Sequence, residues 1–359
     1  MTEPTACDSQ NPHSLTSPGQ LIANLPAILG FFPRESIVLA TFQSVEGSTY
    51  ALGPTLRLDI GAVGATTGLR ELWRTGGALS GFDLVFCVVI SERVLARGVR
   101  CPELAASVRD VEEAVAEAGG RLAGIWGCQE IITGTRFVSL CREVDDYANP
   151  GWAEGTVSSV VGSAAMEQWV SAGKLPEVSR EEVFGRFESG NPFYSADELQ
   201  WIQEGGSVGP GGGIVLVEEL GDLILEAEGR SEDDLLADAE LLRLCADVLG
   251  TVQLRDAAVG DILGTPSAAA PVMLAAAKSL RGFARANALC LYALAVIAQG
   301  FPMDANPALI TALDEDPRHS LSRLILNLLH TGDLDALLHS VYQGSEVARR
   351  GAQWRESQP

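Results

Sequence analysis

Five polar residues beside two predicted strands form the best candidate site in the sequence. Arg34, Glu35 and Ser36 stand directly before a short apolar run, and Arg57 and Asp59 lie on one face of the strand that follows. If the two strands are neighbours, both charge signs meet at one end of a sheet, where α/β proteins often bind ligands. The simpler interpretation is a structural network of ion pairs that fixes the loop, because no nucleophile–base pair accompanies these residues.

Arg136 extends this candidate site. It follows Thr133-Gly134-Thr135, a hairpin signal, and Cys141 comes shortly after it. A catalytic cysteine needs a nearby cation or histidine that holds it as a thiolate. Arg136 can supply a charge, but apart from His13 the first histidine in the chain is His319. The sequence therefore predicts ligand-binding roles for Arg136 and the cluster above, and no catalytic residue.

No metal or cofactor site is predicted. His319, His330 and His339 are 11 and 9 residues apart, which is not a metal-binding spacing, and we expect them on the surface or at helix ends. The seven cysteines are scattered and include no C-x-x-C pair, which excludes a zinc or dithiol motif. The glycine-rich segment 209–213 lacks the Lys-Ser/Thr pair of a phosphate-binding loop.

The N-terminal elements that would position the candidate residues form an α/β layer. Apolar runs without alternation at Ile37–Phe42 and Leu84–Ile90 predict interior strands. The order β, β, α, β, α, β, β then describes a mixed sheet covered by helices. The first predicted element is a helix that Ser17-Pro18 begins, Gly30 ends and Pro26 kinks or divides. The others are an alternating strand around 56–60, helices over 67–75 and 102–119, and a hairpin of strands Leu122–Ile132 and Arg136–Leu140.

After residue 150 the sequence predicts helices only, and the last four of them form two helical hairpins. The segment 214–228 stays open, because its short β-branched start also fits a strand. The predicted helices span 158–172, 180–188 and 196–204 before a flexible glycine-rich break at 205–213, and 214–228, 231–249, 251–263, 269–281, 284–299, 306–314, 319–331 and 334–342 after it.

We therefore predict an α+β or mixed α/β fold with a separate helical half. The length of 359 residues fits two or three domains. The predicted organisation is a disordered tail at 1–16, an α/β domain at 17–150, a helical and glycine-rich connecting region at 151–230, an all-α domain of stacked helical hairpins at 231–343, and a second tail at 344–359.

Composition restricts the partners of the chain. It has 47 acidic and 25 basic residues, and this net charge of −22 argues against nonspecific binding to nucleic acid or to an anionic membrane. The longest apolar run, Ala288–Ala298, has 11 residues, short of the roughly 20 that a membrane span needs. The first residues also lack the basic and apolar regions of a signal peptide. We therefore expect a soluble cytoplasmic protein without membrane insertion.

Three stretches of the chain are distinctive: Ser17-Pro18 with residues 25–38, then Leu56-Arg57-Leu58-Asp59, and finally residues 312–324. Together they resemble an uncharacterised bacterial family, domain of unknown function 4192, over about Ser17 to His339. The resemblance implies no activity, since the family has no assigned reaction. Members often carry extra cysteines shortly after the hairpin, and this chain keeps only Cys141 there. No metal or dithiol role is therefore implied at that place.

Two functions remain open, and we prefer the first. Stacked helical hairpins present a groove that suits a partner helix or peptide, which favours a protein-interaction or regulatory module with a protein partner. The alternative is an enzyme or small-molecule-binding protein, in which Arg34 and Arg57 bind an anionic group and Glu35 or Asp59 serves as acid–base. A deep pocket lined by these residues would favour the alternative. The sequence leaves the oligomeric state open.

Overall fold

The computed structural model of the chain describes residues 15–46, 49–60, 82–95, 98–99, 102–117, 122–140, 150–204, 213–329 and 333–356. The chain divides into two compact units, with the boundary between Arg180 and Glu181. The first unit contains a six-stranded mixed sheet and the second is built of helices, which confirms the predicted fold class. The predicted connecting region 151–230 is divided between the two units. No described helix is both long and apolar enough to cross a lipid bilayer.

The sheet of the first unit has the strand order β2-β1-β3-β6-β7-β8. Strands β3 and β6 are parallel and all other neighbours in the sheet are antiparallel. Strands β4 and β5 form a separate two-stranded ribbon. The elements are α1 Pro18–Leu29, β1 Ser36–Glu46, β2 Thr49–Asp59, β3 Leu84–Ile90, β4 Val94–Leu95, β5 Gly98–Val99, α2 Pro102–Glu117, β6 Leu122–Cys128, β7 Arg136–Ser139, β8 Glu154–Thr156 and α3 Ala164–Ser171.

Helix α2 packs on one face of the sheet and encloses the core of the first unit. Side chains that alternate along β1 and β3, such as Leu39 and Cys87, pack with Leu104, Val108 and other residues of α2. The residues of opposite parity, among them Val38 and Val88, are also fully buried. Burial on both faces explains the continuous apolar runs of the two strands. The prediction of β1 and β3 as interior strands is therefore confirmed.

Several predicted elements of the first unit need correction. Pro26 lies inside α1 and does not divide it. Both predicted ends of this helix are confirmed: Ser17 caps its start, and Gly30, in the left-handed conformation, donates from its N–H to the carbonyl of Pro26 at its end. Strand β6 ends at Cys128 and not at Ile132, since pairing with β7 stops there. The predicted helix 67–75 lies outside the described residues.

The sheet also continues further along the chain than predicted. Strand β8 adds an edge strand at residues 154–156, where the sequence predicted only helices. Helix α3 begins at Ala164 and not at 158, because the Ser159 hydroxyl accepts the N–H of Gly162 in a local turn.

The second unit surrounds a central helix, α11 (Gly282–Ala298), that is buried from Ala284 to Ile297. The helices are α4 Arg180–Gly185, α5 Ala196–Glu204, α6 Gly213–Glu226, α7 Glu232–Leu236, α8 Ala239–Leu249, α9 Val252–Gly264, α10 Pro266–Ser279, α11 Gly282–Ala298, α12 Pro302–Glu315, α13 Ser320–Leu329 and α14 Leu334–Glu356. Over Ala288–Ile297 helix α11 is apolar on all sides, and the helix packs against α8, α9, α10 and α12. The predicted pairs α11–α12 and α13–α14 are both in contact.

Two predictions for the helical half are resolved by local contacts. The segment predicted as one helix over 231–249 is divided into α7 and α8, because the Asp238 carboxylate accepts the N–H of Leu241 and starts a new helix. The segment 214–228, which the sequence left open between helix and strand, is the helix α6.

The final helix α14 extends to Glu356, where the sequence predicted a tail from residue 344. Ser345 is buried against α9, accepts the N–H of Gly260 at 2.9 Å and donates to the carbonyl of Ala257 at 3.2 Å. Arg349 donates to the same carbonyl at 2.8 Å and pairs with Asp261. Because polar side chains make these contacts, the spacing of apolar residues in the sequence could not indicate them.

We predict that removal of residues 344–359 lowers the free energy of unfolding of the second unit by about 2 kcal/mol or more, because the N–H of Gly260 and the carboxylate of Asp261 lose their partners. Chemical denaturation followed by circular dichroism measures the change. Removal of residues 357–359, beyond α14, is the control. Equal stability of the two truncated chains would contradict the prediction.

Candidate functional site

A cleft of about 690 Å³ lies at the carboxyl end of the parallel strand pair. Strands β3 and β6 end together, at Ile90 and Cys128, and β1 begins beside them because Ser36 is paired with Ile90. The carboxyl ends of the strands are where α/β sheets often bind ligands. The residues that line the cleft are Arg34, Glu35, Glu92, Gln129 and Glu130.

Glu35 holds the loops of the cleft together. Its φ of 41° is in the left-handed region, an uncommon conformation for a residue other than glycine. One carboxylate oxygen accepts from the Ser91 hydroxyl at 2.8 Å and from the N–H of Glu92 at 3.1 Å, and the other pairs with Arg93 at 2.5 Å. Burial acts to raise the pKa of Glu35, but the hydrogen bonds from Arg93 and Ser91 outweigh it and lower the pKa. Glu35 is therefore a fixed, ionised clamp, which we call the Glu35 clamp.

The loop before β1 is held by Ser36, Arg57 and Asp59, which are not among the described residues that line the cleft. Arg57 donates from Nε to the Ser36 hydroxyl at 2.8 Å and pairs with Asp59 at 2.5 Å, and its side chain is only 14% exposed. Ser36 in turn donates to the backbone carbonyl of Arg34 at 2.6 Å. Strands β1 and β2 are neighbours, as the candidate site required, yet these contacts are those of a network that fixes the loop. Arg57 is thus occupied and not directed at a ligand.

Three charged side chains of the cleft have no partner. Arg34, Glu92 and Glu130 make no side-chain hydrogen bond or ion pair among the residues that the structure describes. Gln129 donates from its amide nitrogen to the carbonyl of Val94 at 3.2 Å, which directs its amide oxygen elsewhere. The lining therefore offers one guanidinium group and two carboxylates to a ligand.

The sequence analysis found Arg34 and Glu35 but missed the other lining residues. Glu92 and the pair Gln129-Glu130 follow the ends of two buried strands within two residues. Residues that directly follow the carboxyl ends of two parallel strands are candidates for a ligand site, and this position could have indicated them.

Arg136 lies at the same end of the sheet but outside the cleft. It pairs with Glu154 across β7 and β8 at 3.0 Å, and both side chains are exposed. Cys141 lies outside the described residues. The nearest described cysteine, Cys128, is buried, and burial together with Glu130 raises the pKa of its thiol to about 12. It therefore stays protonated and is not a nucleophile.

A family comparison assigns the chain. The family model described as Domain of unknown function (DUF4192) matches residues 18–333, from the first residue of α1 to the start of α14. The chain belongs to this family. The match confirms the resemblance seen in the sequence and includes all five lining residues. No curated protein and no solved structure matches the chain.

The second unit contains a buried polar network around His319. The histidine stands at the N-terminus of α13, as a helix-end residue, but it is only 2% exposed and not at the surface. The N–H of Ser322 donates to Nδ1 at 3.2 Å, so the ring proton is on Nε2, which donates to the Asn287 side-chain oxygen at 2.7 Å. Arg255 donates to the same oxygen at 2.9 Å. His330 lies outside the described residues, and His339 is exposed on α14.

The network is structural and not catalytic. Ser322 and Asn287 are fully buried, which leaves no surface at the serine hydroxyl for a substrate. Burial and the positive charge of Arg255 lower the pKa of His319 to about 4, against smaller opposite effects of Asp316 and Asp256. Among the described residues, no three His, Cys, Asp or Glu side chains are grouped so that they could hold a metal ion.

We predict that His319 makes the second unit less stable as the pH falls from about 6.5 to about 4. The folded state keeps His319 neutral until about pH 4, whereas the unfolded chain takes up the proton near pH 6.5. The free energy of unfolding therefore falls by about 2 kcal/mol over this range.

Urea denaturation at several pH values measures this effect. The His319→Gln variant should show a smaller loss of stability between the two pH values than the wild type, and the exposed control His339→Gln should match the wild type. The same pH dependence in all three proteins would show that His319 is not responsible.

Proposed function

We propose that the protein is a ligand-binding protein whose recognition site is the cleft at the carboxyl ends of β3 and β6. One observation carries this proposal: Arg34, Glu92 and Glu130 line the same cleft and none of them has a partner among the described residues. All three side chains are exposed, so a ligand in the cleft can reach them. A few convergent polar groups in a concave site are typical of ligand recognition.

The support behind the cleft favours the same function. The Glu35 clamp ties the loop before β1 to the loop after β3, and Arg57 fixes the carbonyl of Arg34 through Ser36. The left-handed backbone at Glu35 costs about 1–3 kcal/mol, which the surrounding hydrogen bonds must offset. Backbone strain of this kind is concentrated at ligand clamps and active sites. A rigid support is what a preorganised binding site requires.

The protonation states of Glu35 in the cleft and of the buried Cys128, which precedes Gln129, favour binding over acid–base catalysis. The pKa of Glu35 is lowered, so the group stays ionised and hydrogen-bonded, and the pKa of the Cys128 thiol is raised to about 12. Neither group is poised to exchange a proton near neutral pH.

We predict that charged small molecules stabilise the protein through this cleft. The probes are inorganic phosphate, a dicarboxylate, a diamine, glycine, glutamate and lysine, each tested by the shift of the melting temperature. A shift seen with the wild type should disappear in Arg34→Ala or Glu130→Gln, because each variant removes one free charge. The controls Arg109→Ala and Glu112→Gln change exposed charges of α2, which does not line the cleft. If every shift persists in the cleft variants, the proposal is wrong.

The helical unit supports a second candidate function, the interaction module that the sequence favoured. Trp201 on α5 is 53% exposed, and the guanidinium of Arg243 lies 3.9 Å above its ring. Phe193, also on this unit, is 47% exposed. Tryptophan and arginine are enriched among the residues that dominate binding at protein interfaces. These side chains are therefore the ones to test for a protein partner.

For this second candidate we predict a protein that co-purifies with the tagged wild type from its native cell and is lost with Trp201→Ala. Tyr342→Ala, which changes an exposed aromatic residue of α14, is the matched control and should retain the same protein. Identical sets of co-purified proteins for all three chains would exclude an interface at Trp201.

A further inference from the structure

The free charges of the cleft specify the charge pattern of its ligand. The Glu35 carboxylate and Arg93 neutralise each other, which leaves one positive group, Arg34, and two negative groups, Glu92 and Glu130, among the lining residues that the structure describes. A ligand that pairs with all three carries one anionic and two cationic groups. A ligand with a net negative charge would leave a carboxylate of the cleft facing a like charge, which is unfavourable.

The chemical types of the lining groups indicate which functional groups the ligand carries. A guanidinium group presents a planar fork of donors that fits a carboxylate in a two-point contact. The two glutamates and the amide oxygen of Gln129 are acceptors, and they suit the donors of an ammonium group. The lining therefore has a place for one carboxylate and places for two ammonium groups.

We infer that the cleft binds a free basic α-amino acid of the lysine class. Arg34 pairs with the α-carboxylate, and Glu92 and Glu130 accept from the α-ammonium and the side-chain ammonium groups. This inference rests on the proposed function of the cleft as a binding site. The cleft of about 690 Å³ is within the usual range for small-molecule sites and leaves room for water beside the ligand.

The first arm of the test uses four probes that differ in charge, measured by isothermal titration calorimetry with the full chain. Lysine carries all three groups, lysinamide lacks the carboxylate, Nα-acetyl-lysine lacks the α-ammonium group, and glutamate reverses the net charge. We expect lysine to bind most tightly. Each blocked analogue should bind about tenfold or more weakly, because a charge-assisted hydrogen bond is lost. Glutamate should bind more weakly still.

The second arm assigns each contact to a side chain. Arg34→Ala should weaken the binding of lysine and leave the binding of lysinamide unchanged, so that the two probes bind this variant with equal affinity. Glu92→Gln and Glu130→Gln should weaken both of these probes. Arg109→Ala on α2 is the control and should behave as the wild type. The Arg34 side chain makes no hydrogen bond or ion pair among the described residues, and an unchanged melting temperature of Arg34→Ala checks that the replacement leaves the fold intact.

The outcomes separate the inference from the proposed function. The assignment of a basic amino acid as the ligand is wrong if lysinamide binds the wild type as tightly as lysine, or if glutamate or phosphate binds through Arg34 instead. In either case the cleft remains a binding site. If lysine binds equally well to Arg34→Ala, Glu92→Gln and Glu130→Gln, its site is elsewhere and the inference fails. If neither these four probes nor the wider panel binds in a way that the cleft variants change, the proposed function fails as well.

Discussion

The first unit depends on the carboxylate of Glu35. This group accepts hydrogen bonds from Ser91 and from the backbone of Glu92, and it pairs with Arg93, so it joins the loop before β1 to the loop after β3. Its backbone carbonyl also accepts the N–H of Ile60, at the end of β2. Three strands are therefore held at one end by a single residue. This junction acts together with the Arg57–Ser36 contacts that fix the carbonyl of Arg34.

The second unit is also joined by polar side chains that share hydrogen bonds, here in its interior. Arg255, Asn287 and His319 come from α9, α11 and the start of α13, and they share hydrogen bonds in a region that is otherwise apolar. Buried polar groups are costly unless every group has a partner, so a satisfied network permits few alternative packings. Apolar contacts around α11 stabilise the bundle, while the polar network specifies which helices meet.

The regular elements were predictable from the sequence, and the contacts of the site were not. β3 and α11 carry apolar runs whose burial on all sides follows from their composition. Only the folded structure shows which arginine is paired: Arg57 contacts Ser36 and Asp59, whereas the Arg34 side chain has no partner among the described residues. Apart from Ser322, the residues around the His319 ring lie 32 and 64 positions away in the chain, beyond any local pattern.

The left-handed conformation of Glu35 has a consequence for how this position can change during evolution. Glycine accepts such a backbone without strain but has no carboxylate, and asparagine tolerates it but brings no charge for Arg93. Aspartate has the charge and a shorter reach to Ser91. Each neighbouring option therefore satisfies the backbone or the side chain but not both. Neutral drift at this position should be slow, and a replacement that persists should be accompanied by a change at residue 91 or 93.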